Sequence, residues 1–246
     1  MAYPATLQID YAAPYETGGT QLYPIGQKAE STDGSIYRYT LMGSTIGIAN
    51  NLYQAAVPTN NWLSQTHTIE ATAGDTSISF EDGGTTFTVN QAAGGTVLFE
   101  ETDDLGGIYR IKSNTATAVA ETIMQFEDGV TVQTTMAVAA SNVMTFLLNP
   151  WSATIVVPTT TPTAIHAGIP RVIIAASAYG WLQTRGVASC LIIGVVVKGN
   201  PVITAGTTAG SVGPPASQTT TITTLVGQAM EVAPTADFGH IFLTLE

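Results

Sequence analysis

Short segments in which apolar and polar residues alternate recur along the whole chain. The alternating segments lie at 35–41, 85–89, 107–112, 130–136, 180–184 and 239–245. Alternation places successive side chains on opposite faces of a β-strand. Turn dipeptides stand between the segments, among them Asp33-Gly34, Asp82-Gly83 and Asp128-Gly129. The pattern predicts an all-β fold built from antiparallel β-sandwich or β-barrel modules.

Helical periodicity is scarce, and one segment is the best candidate. Over 46–57 apolar residues recur near i, i+3 and i+7, and Pro58 ends the pattern. The pattern therefore predicts a single short helix there.

Composition divides the chain into three parts. Pro and Gly are frequent before residue 30, and 158–163 is a threonine-proline stretch that reads as a linker or extended crossover. We predict an extended N-terminal arm at 1–30, an N-terminal β-domain at 31–157 and a C-terminal β-module at 158–246. Arms of this kind often lie along a neighbouring subunit. Four tyrosines make this arm a candidate protein interface, since tyrosine combines a large apolar face with a polar tip: Tyr3, Tyr11, Tyr15 and Tyr23.

Charge is low and mostly negative. Charged residues make up 10% of the chain and the net charge is −11, which argues against a nucleic-acid partner. The 39 threonines favour strands and keep exposed sheet faces polar. The first residues show no signal peptide, and the most apolar segment, 187–197, is too short to span a bilayer. We expect a protein made in a cytoplasm, without a membrane partner.

No residue constellation in the sequence favours catalysis. Acidic doublets raise the alternative of a polysaccharide-active enzyme, and 100–106 comes nearest to a calcium loop, but turn and loop acids explain both. His67, His166 and His240 lack partners at metal-ligand spacing, and Cys190 lies in an apolar run typical of a core position. We predict no enzyme activity, no cofactor and no metal.

The stretch 178–186, AYGWLQTRG, combines an aromatic residue with a glutamine and an arginine. Alternation predicts a strand, and Gly186 is expected to make the turn into the strand of Cys190. Arg185 is one of few cations in an acidic chain. We predict that it pairs with a carboxylate, either within the module or across a subunit boundary.

The order of several short motifs resembles that of capsid decoration (cement or head-fibre-like) proteins of tailed bacteriophages. A Pro- and Gly-rich arm precedes YPIGQKAESTDGSIYRYTLMG, GGIYRIKSNTATA and LLNPWSATIVVPTTTPTA, and AYGWLQTRGVASCLIIGVVVKGNPVITAG precedes the final VGQAMEVAPTADFGHIFLTLE. The Cys-Leu-Ile-Ile stretch departs from the resemblance, which leads us to expect a more polar turn there. The resemblance implies a non-enzymatic virion protein on the outer capsid surface, a homotrimer that bridges neighbouring major capsid subunits and stabilises the head.

A second hypothesis is a carbohydrate- or receptor-binding β-module of a fibre or surface protein. Such a module needs an exposed aromatic platform beside polar groups, for which Trp62 and Trp151 are the candidates.

Overall fold

The computed structural model describes residues 4–100, 106–119, 121–215 and 224–246, and in these ranges the chain forms β-strands, two short 3-10 turns and no α-helix. The all-β prediction is confirmed. The strands are β1 Thr6–Ile9, β2 Lys28–Ser31, β3 Ile36–Leu41, β4 Tyr53–Gln54, β5 Gln65–Thr66, β6 Ser77–Glu81, β7 Thr96–Glu100, β8 Ile108–Asn114, β9 Glu121–Phe126, β10 Val143–Leu147, β11 Ile155–Val156, β12 His166–Pro170, β13 Tyr179–Ile192, β14 Pro201–Thr204, β15 Val212–Gly213, β16 Leu225–Ala229 and β17 Asp237–Thr244. The 3-10 turns are Ala13–Tyr15 and Asn60–Trp62.

The chain divides into two compact units, and the division differs from the predicted one. One unit joins Met1–Ala56 to Pro150–Glu246, and the other is Val57–Asn149. The predicted boundary near 158 fails because β3 and β4 pair with β13, β11 and β12, which lie far along the chain. We call the first the barrel unit and the second the inserted unit, because it interrupts the chain between β4 and β11.

The barrel unit contains two small closed barrels that share one strand. In barrel A, hydrogen bonding runs from β3 through the first half of β13, then β12, β4 and β11, and a bridge between Thr154 and Met42 closes the ring. In barrel B it runs from the second half of β13 through β15, β14, β16 and β17 and back to β13. The long strand β13 therefore ends one barrel and begins the next.

Buried apolar residues of the barrel unit form two clusters, and the one centred on barrel B also takes in Leu52, Val157 and Ile169 of barrel A. The core of barrel A is formed by Met42, Tyr53, Ala167, Ile174, Ala178 and Leu182. Inward-facing residues of β13 and β17 contribute much of the core of barrel B, including Ala188, Cys190, Ile192, Ile241 and Leu243. Cys190 is completely buried, as a core residue should be.

Two local predictions in the barrel unit are wrong. Residues 46–57 form no helix: Gly47 bridges Ile174, and the segment ends in β4, so pairing with distant strands overrides the local periodicity. Gly186 makes no turn between strands. Its φ of 96° lies just after a register shift between Gln183 and Arg185, and β13 continues through this bulge.

The N-terminal arm packs on its own chain. Parallel pairing joins β1 to β2, and β2 adds to the free edge of β3. An antiparallel bridge also links Gly18 to Tyr179. The arm thus packs on its own core, while its outer surface stays exposed and its contact with a neighbouring subunit stays a prediction.

The inserted unit is an antiparallel sheet in the order β5-β10-β7-β8-β9-β6. Strand alternation predicts one buried face, and an aromatic cluster occupies it. Trp62 stacks on Phe87 with ring centroids 4.2 Å apart, and Phe146 meets both rings edge-on at 5.7 and 5.3 Å.

Candidate interaction surfaces

Barrels A and B are built on the same register, strand for strand. Cross-strand residue pairs occur at equivalent positions of the two barrels. In barrel A they are Tyr53–Gly168, Gln54–His166, Pro170–Leu182 and Thr40–Gly180; their counterparts in barrel B, in the same order, are Val202–Gly227, Ile203–Leu225, Ala229–Ile241 and Cys190–Gly239. Both barrels also have a register shift at the same place, between the first two pairs. The inserted unit occupies the position where barrel B has only the connection 205–211. The barrel unit is thus an internal structural duplication.

A glycine is required at the same position of both barrels. A Cβ built on Gly227 lies 2.1 Å from the carbonyl oxygen of Phe242, and one built on Gly168 lies 2.7 Å from that of Gln183. Both distances are far below van der Waals contact. The backbones of the last two strands of each barrel therefore approach closely only because these residues are glycine.

Each barrel presents a pair of loops with three exposed β-branched residues. Loop pair A consists of residues 43–50 and 171–178, and loop pair B of residues 193–200 and 230–237. A β-bridge links the two loops at the equivalent place in each pair, Gly47 to Ile174 in one and Val196 to Ala233 in the other. The equivalent exposed residues are Ile46 (54%), Ile48 (51%) and Ile173 (57%) in pair A, and Val195 (59%), Val197 (51%) and Val232 (65%) in pair B.

Backbone geometry fixes the two loop pairs in the same way. Asn50 has a φ of 62° and donates its N–H to Pro170, while Gly199 has a φ of 81° and donates its N–H to Ala229. In barrel A the hydroxyl of the buried Tyr53 also accepts the N–H of Ile48 at 2.6 Å. The apolar side chains thus stand on held loops and point away from the cores.

The arm covers the outer face of barrel A. We call this the covered face; it is formed by Tyr37, Tyr39, Tyr179 and Trp181. Tyr23 of the arm packs on Tyr39 and Trp181 with centroids 5.2 and 5.3 Å apart. The hydroxyl of Tyr39 accepts the N–H of Leu22 at 3.1 Å. Tyr39 and Trp181 are each only 3% exposed as a result.

The equivalent face of barrel B, which we call the bare face, is open. Its cross-strand pairs are Val187–Phe242, Ser189–His240 and Leu191–Phe238. Phe238 is 52% exposed, Val187 41% and Phe242 38%, although the alternate residues of both strands are buried. Among the described residues, none covers this face as the arm covers barrel A. Sequence alternation identified the strands but predicted threonine-rich polar faces, so this apolar surface was missed.

Arg185 stands at one end of the bare face. It is exposed in a hollow of about 420 Å³ that Glu30, Asp33, Val187 and Phe242 also line. Within the described part of the chain no carboxylate comes within 4.0 Å of it. By contrast, Arg38 makes a bidentate pair with Glu246 at 2.7 and 3.0 Å, and Arg110 meets Glu127 at 3.4 Å. The predicted pairing of Arg185 within its own module is not seen.

The predicted arm tyrosines have different environments. Tyr11 and Tyr15 are exposed, at 55% and 54%. Tyr23 belongs to the packing of the covered face. Tyr3 lies outside the described residues.

Two histidines have buried ring nitrogens without hydrogen-bond partners in the described residues, His67 and His166. Burial lowers the pKa of His166 below its ordinary value. His166 lines a groove of about 1130 Å³ together with residues 159–165 and 203–206. His240 is exposed and its ring meets Glu231 at 2.7 Å.

In the ranges that the structure describes, no group of three or more His, Cys, Asp or Glu side chains is placed to hold a metal ion. Most of the candidate calcium loop at 100–106 lies outside those ranges.

Comparisons with protein-family models, with curated proteins and with solved structures find no match to this chain. No helix among the described residues is long and apolar enough to cross a membrane.

Proposed function

We propose that this chain is a structural virion protein that binds the outer surface of a phage capsid as a homotrimer and bridges neighbouring major capsid subunits. The observation that carries the proposal is the duplicated loop pair. One chain presents the same three exposed β-branched side chains twice, at equivalent positions of two barrels. Exposed apolar clusters rimmed by polar surface are typical of interaction sites.

The positions of the loop pairs fit a bridge between two subunits. Pair A adjoins the beginning of β13, where Met42 donates its N–H to Ala178, and pair B adjoins its end, where Ala236 donates to Ile192. At about 3.3 Å per residue, the strand between them measures at most ~43 Å. A capsid repeats one subunit surface many times, and two equivalent contacts on one chain match two copies of that surface.

The duplication would also allow one chain to bind the capsid tightly. Two linked contacts bind with an avidity that exceeds either single contact by about 10²–10⁴ when both can be engaged at once. The resemblance of the sequence motifs to capsid decoration proteins supports the same function.

Capsid binding by loop variants tests the proposal. Purified protein is added to expanded capsids of its own phage, and the bound fraction is measured by co-sedimentation. We expect Ile46→Asp and Val195→Asp each to weaken binding by about 100-fold, since each removes one of two contacts, and the double variant to abolish it. Ile108→Asp is the matched control, because Ile108 is 67% exposed on β8 of the inserted unit.

Wild-type protein that ignores its capsids would overturn the proposal. Single variants that bind like wild type would overturn the role of the loop pairs.

The structure offers little for the alternative of a carbohydrate-binding module. Trp62 is 3% exposed and its indole N–H donates to Thr85 at 2.7 Å. The half-buried Trp151 donates its indole N–H to Ala167, and Arg38 lies over its ring at 4.7 Å. Neither ring forms an open platform.

A further inference from the structure

The two barrels differ most in what covers their outer faces. On barrel A, positions of β3 and β13 carry Tyr37, Tyr39 and Trp181, and the arm covers them. On barrel B the equivalent strands carry exposed apolar side chains on either side of the pair Ser189–His240, whose histidine meets Glu231 at 2.7 Å, and nothing in the described chain covers them. Both faces belong to the same duplicated scaffold, so the bare face is the counterpart of a face that an aromatic-bearing segment covers.

The exposed area of the bare face is of the size that a protein interface uses. Aromatic side chains present about 150–250 Å² each, and Phe238 and Phe242 are 52% and 38% exposed. With Val187 and Met230, the apolar surface is of the order of 300 Å², which is within the range of functional patches. A standard interface buries about 800 Å² per partner, a little over half of it apolar. The bare face supplies most of that apolar share.

Charge indicates what kind of segment fits. The cation at the end of the face is Arg185, which lacks an ion pair among the described residues although Glu30 and Asp33 line the same hollow beyond 4.0 Å. The outer surface of the arm carries two exposed tyrosines, Tyr11 and Tyr15, and next to them the exposed Glu16. No ion pair of Glu16 is found in the same ranges. The arm thus offers exposed aromatic side chains that can pack on Phe238 and Phe242, and a carboxylate that can pair with Arg185.

We propose that the bare face of barrel B binds the outer surface of the N-terminal arm of a second copy of this chain, with Arg185 of one copy paired to Glu16 of the next. The two surfaces are different, so the contact is heterologous. A heterologous contact that closes on itself makes a ring. This inference rests on the self-association in the proposed function and assigns the residues that would produce it.

Sedimentation velocity of the full chain at several protein concentrations tests the contact. We expect wild type to form a closed oligomer. Phe238→Lys should weaken association by at least about 100-fold, since the most exposed aromatic anchor of the face is replaced by a charge. Ile108→Lys on the inserted unit is the matched control and should associate like wild type. Circular dichroism and thermal melting establish that each variant is folded.

A charge exchange tests the partner. Arg185→Glu should weaken association, and the combination of Arg185→Glu with Glu16→Arg should restore it. Failure of the double variant to recover would overturn the pairing of these two residues. Association that depends on Phe238 but survives Tyr15→Lys would assign the bare face to another surface of the second copy and overturn the arm as its occupant.

Capsid binding, measured on the same samples, separates this inference from the proposed function. Wild type that stays monomeric yet binds capsids overturns the inference and the homotrimer but leaves capsid binding in place, and a loss of capsid binding in monomeric Phe238→Lys would then assign the bare face to the capsid. A closed oligomer that ignores capsids overturns only the function.

Discussion

Replacing Gly227 by alanine tests whether barrel B depends on the close approach of its last two strands. The new Cβ would lie 2.1 Å from the carbonyl oxygen of Phe242 and 3.1 Å from the Cα of Leu243. Both neighbours are backbone atoms of β17, so no side chain can rotate away. Strand β16 must therefore move outward by about 1 Å, since carbon and oxygen atoms in contact are separated by more than 3 Å.

The expected cost follows from two effects. Forced overpacking costs about 1–3 kcal/mol, and weakening one hydrogen bond of the ladder between β16 and β17 adds about 1 kcal/mol. A loss of about 3 kcal/mol lowers the melting temperature of a unit of about 150 residues by roughly 6–12 °C. Differential scanning calorimetry of the full chain measures this shift.

Gly19→Ala is the matched control for Gly227→Ala. A Cβ on Gly19 has no atom within 4 Å and the residue has no positive φ, so the change should be neutral or slightly stabilising. Gly168→Ala should behave like Gly227→Ala, because its Cβ meets Gln183 at 2.7 Å and its φ of 136° adds strain. An unchanged melting temperature in Gly227→Ala would refute the reasoning about the shared register.

Three further predictions concern single buried groups. Because burial lowers the pKa of His166, the unfolded chain binds the proton more readily than the folded chain. The free energy of unfolding should therefore fall as the pH drops below about 6.5, the ordinary pKa of histidine. Denaturant unfolding at several pH values should show a weaker pH dependence of stability for His166→Leu, and the same pH dependence as wild type would contradict this prediction. Burial raises the pKa of the Cys190 thiol to about 12, so iodoacetamide should modify it only in denaturant, as mass spectrometry can check; labelling of the native protein would refute this. Tyr53→Phe removes the acceptor of the Ile48 N–H, so it should lower the free energy of unfolding by about 1 kcal/mol in denaturant titrations. Hydrogen exchange of the Ile48 amide should also become faster. Unchanged exchange of this amide would show that the hydrogen bond to Tyr53 does not hold the loop.

The sequence was sufficient for the fold class and for several strands, because alternation reports directly on a half-buried sheet. The predicted segments at 35–41 and 239–245 correspond to β3 and β17 within a few residues. The helix at 46–57 failed for a physical reason: its periodicity is weak, and pairing of Gly47 with Ile174 decides the local structure. The domain boundary near 158 failed because only long-range pairing places β3 and β4 with the C-terminal strands.

The duplication was invisible in the sequence because equivalent positions share environment and seldom residue type. Tyr53 corresponds to Val202, and Ile174 to Ala233. Two glycines, Gly168 and Gly180, recur at the corresponding places in barrel B; a Cβ would meet backbone at the first place and a packed side chain at the second, that of Ile174 in barrel A and of Ala233 in barrel B. Two glycines at a fixed separation are too weak a signal to find a repeat, and the inserted unit separates the two halves of barrel A.

The duplication distinguishes positions that serve the scaffold from positions that serve binding. Core positions change residue type between the barrels: the buried Tyr53 corresponds to Val202, and the buried Thr40 to Cys190. The loop pairs behave differently: Ile46, Ile48 and Ile173 have counterparts that are also β-branched and also more than half exposed, which no packing requirement explains. The outer faces of the two barrels, by contrast, are not alike, because the arm covers the face of barrel A and nothing in the described chain covers that of barrel B. Under the proposed function, the repeated loops would serve as two equivalent contacts for a repeated partner, and the open face as one distinct surface for self-assembly.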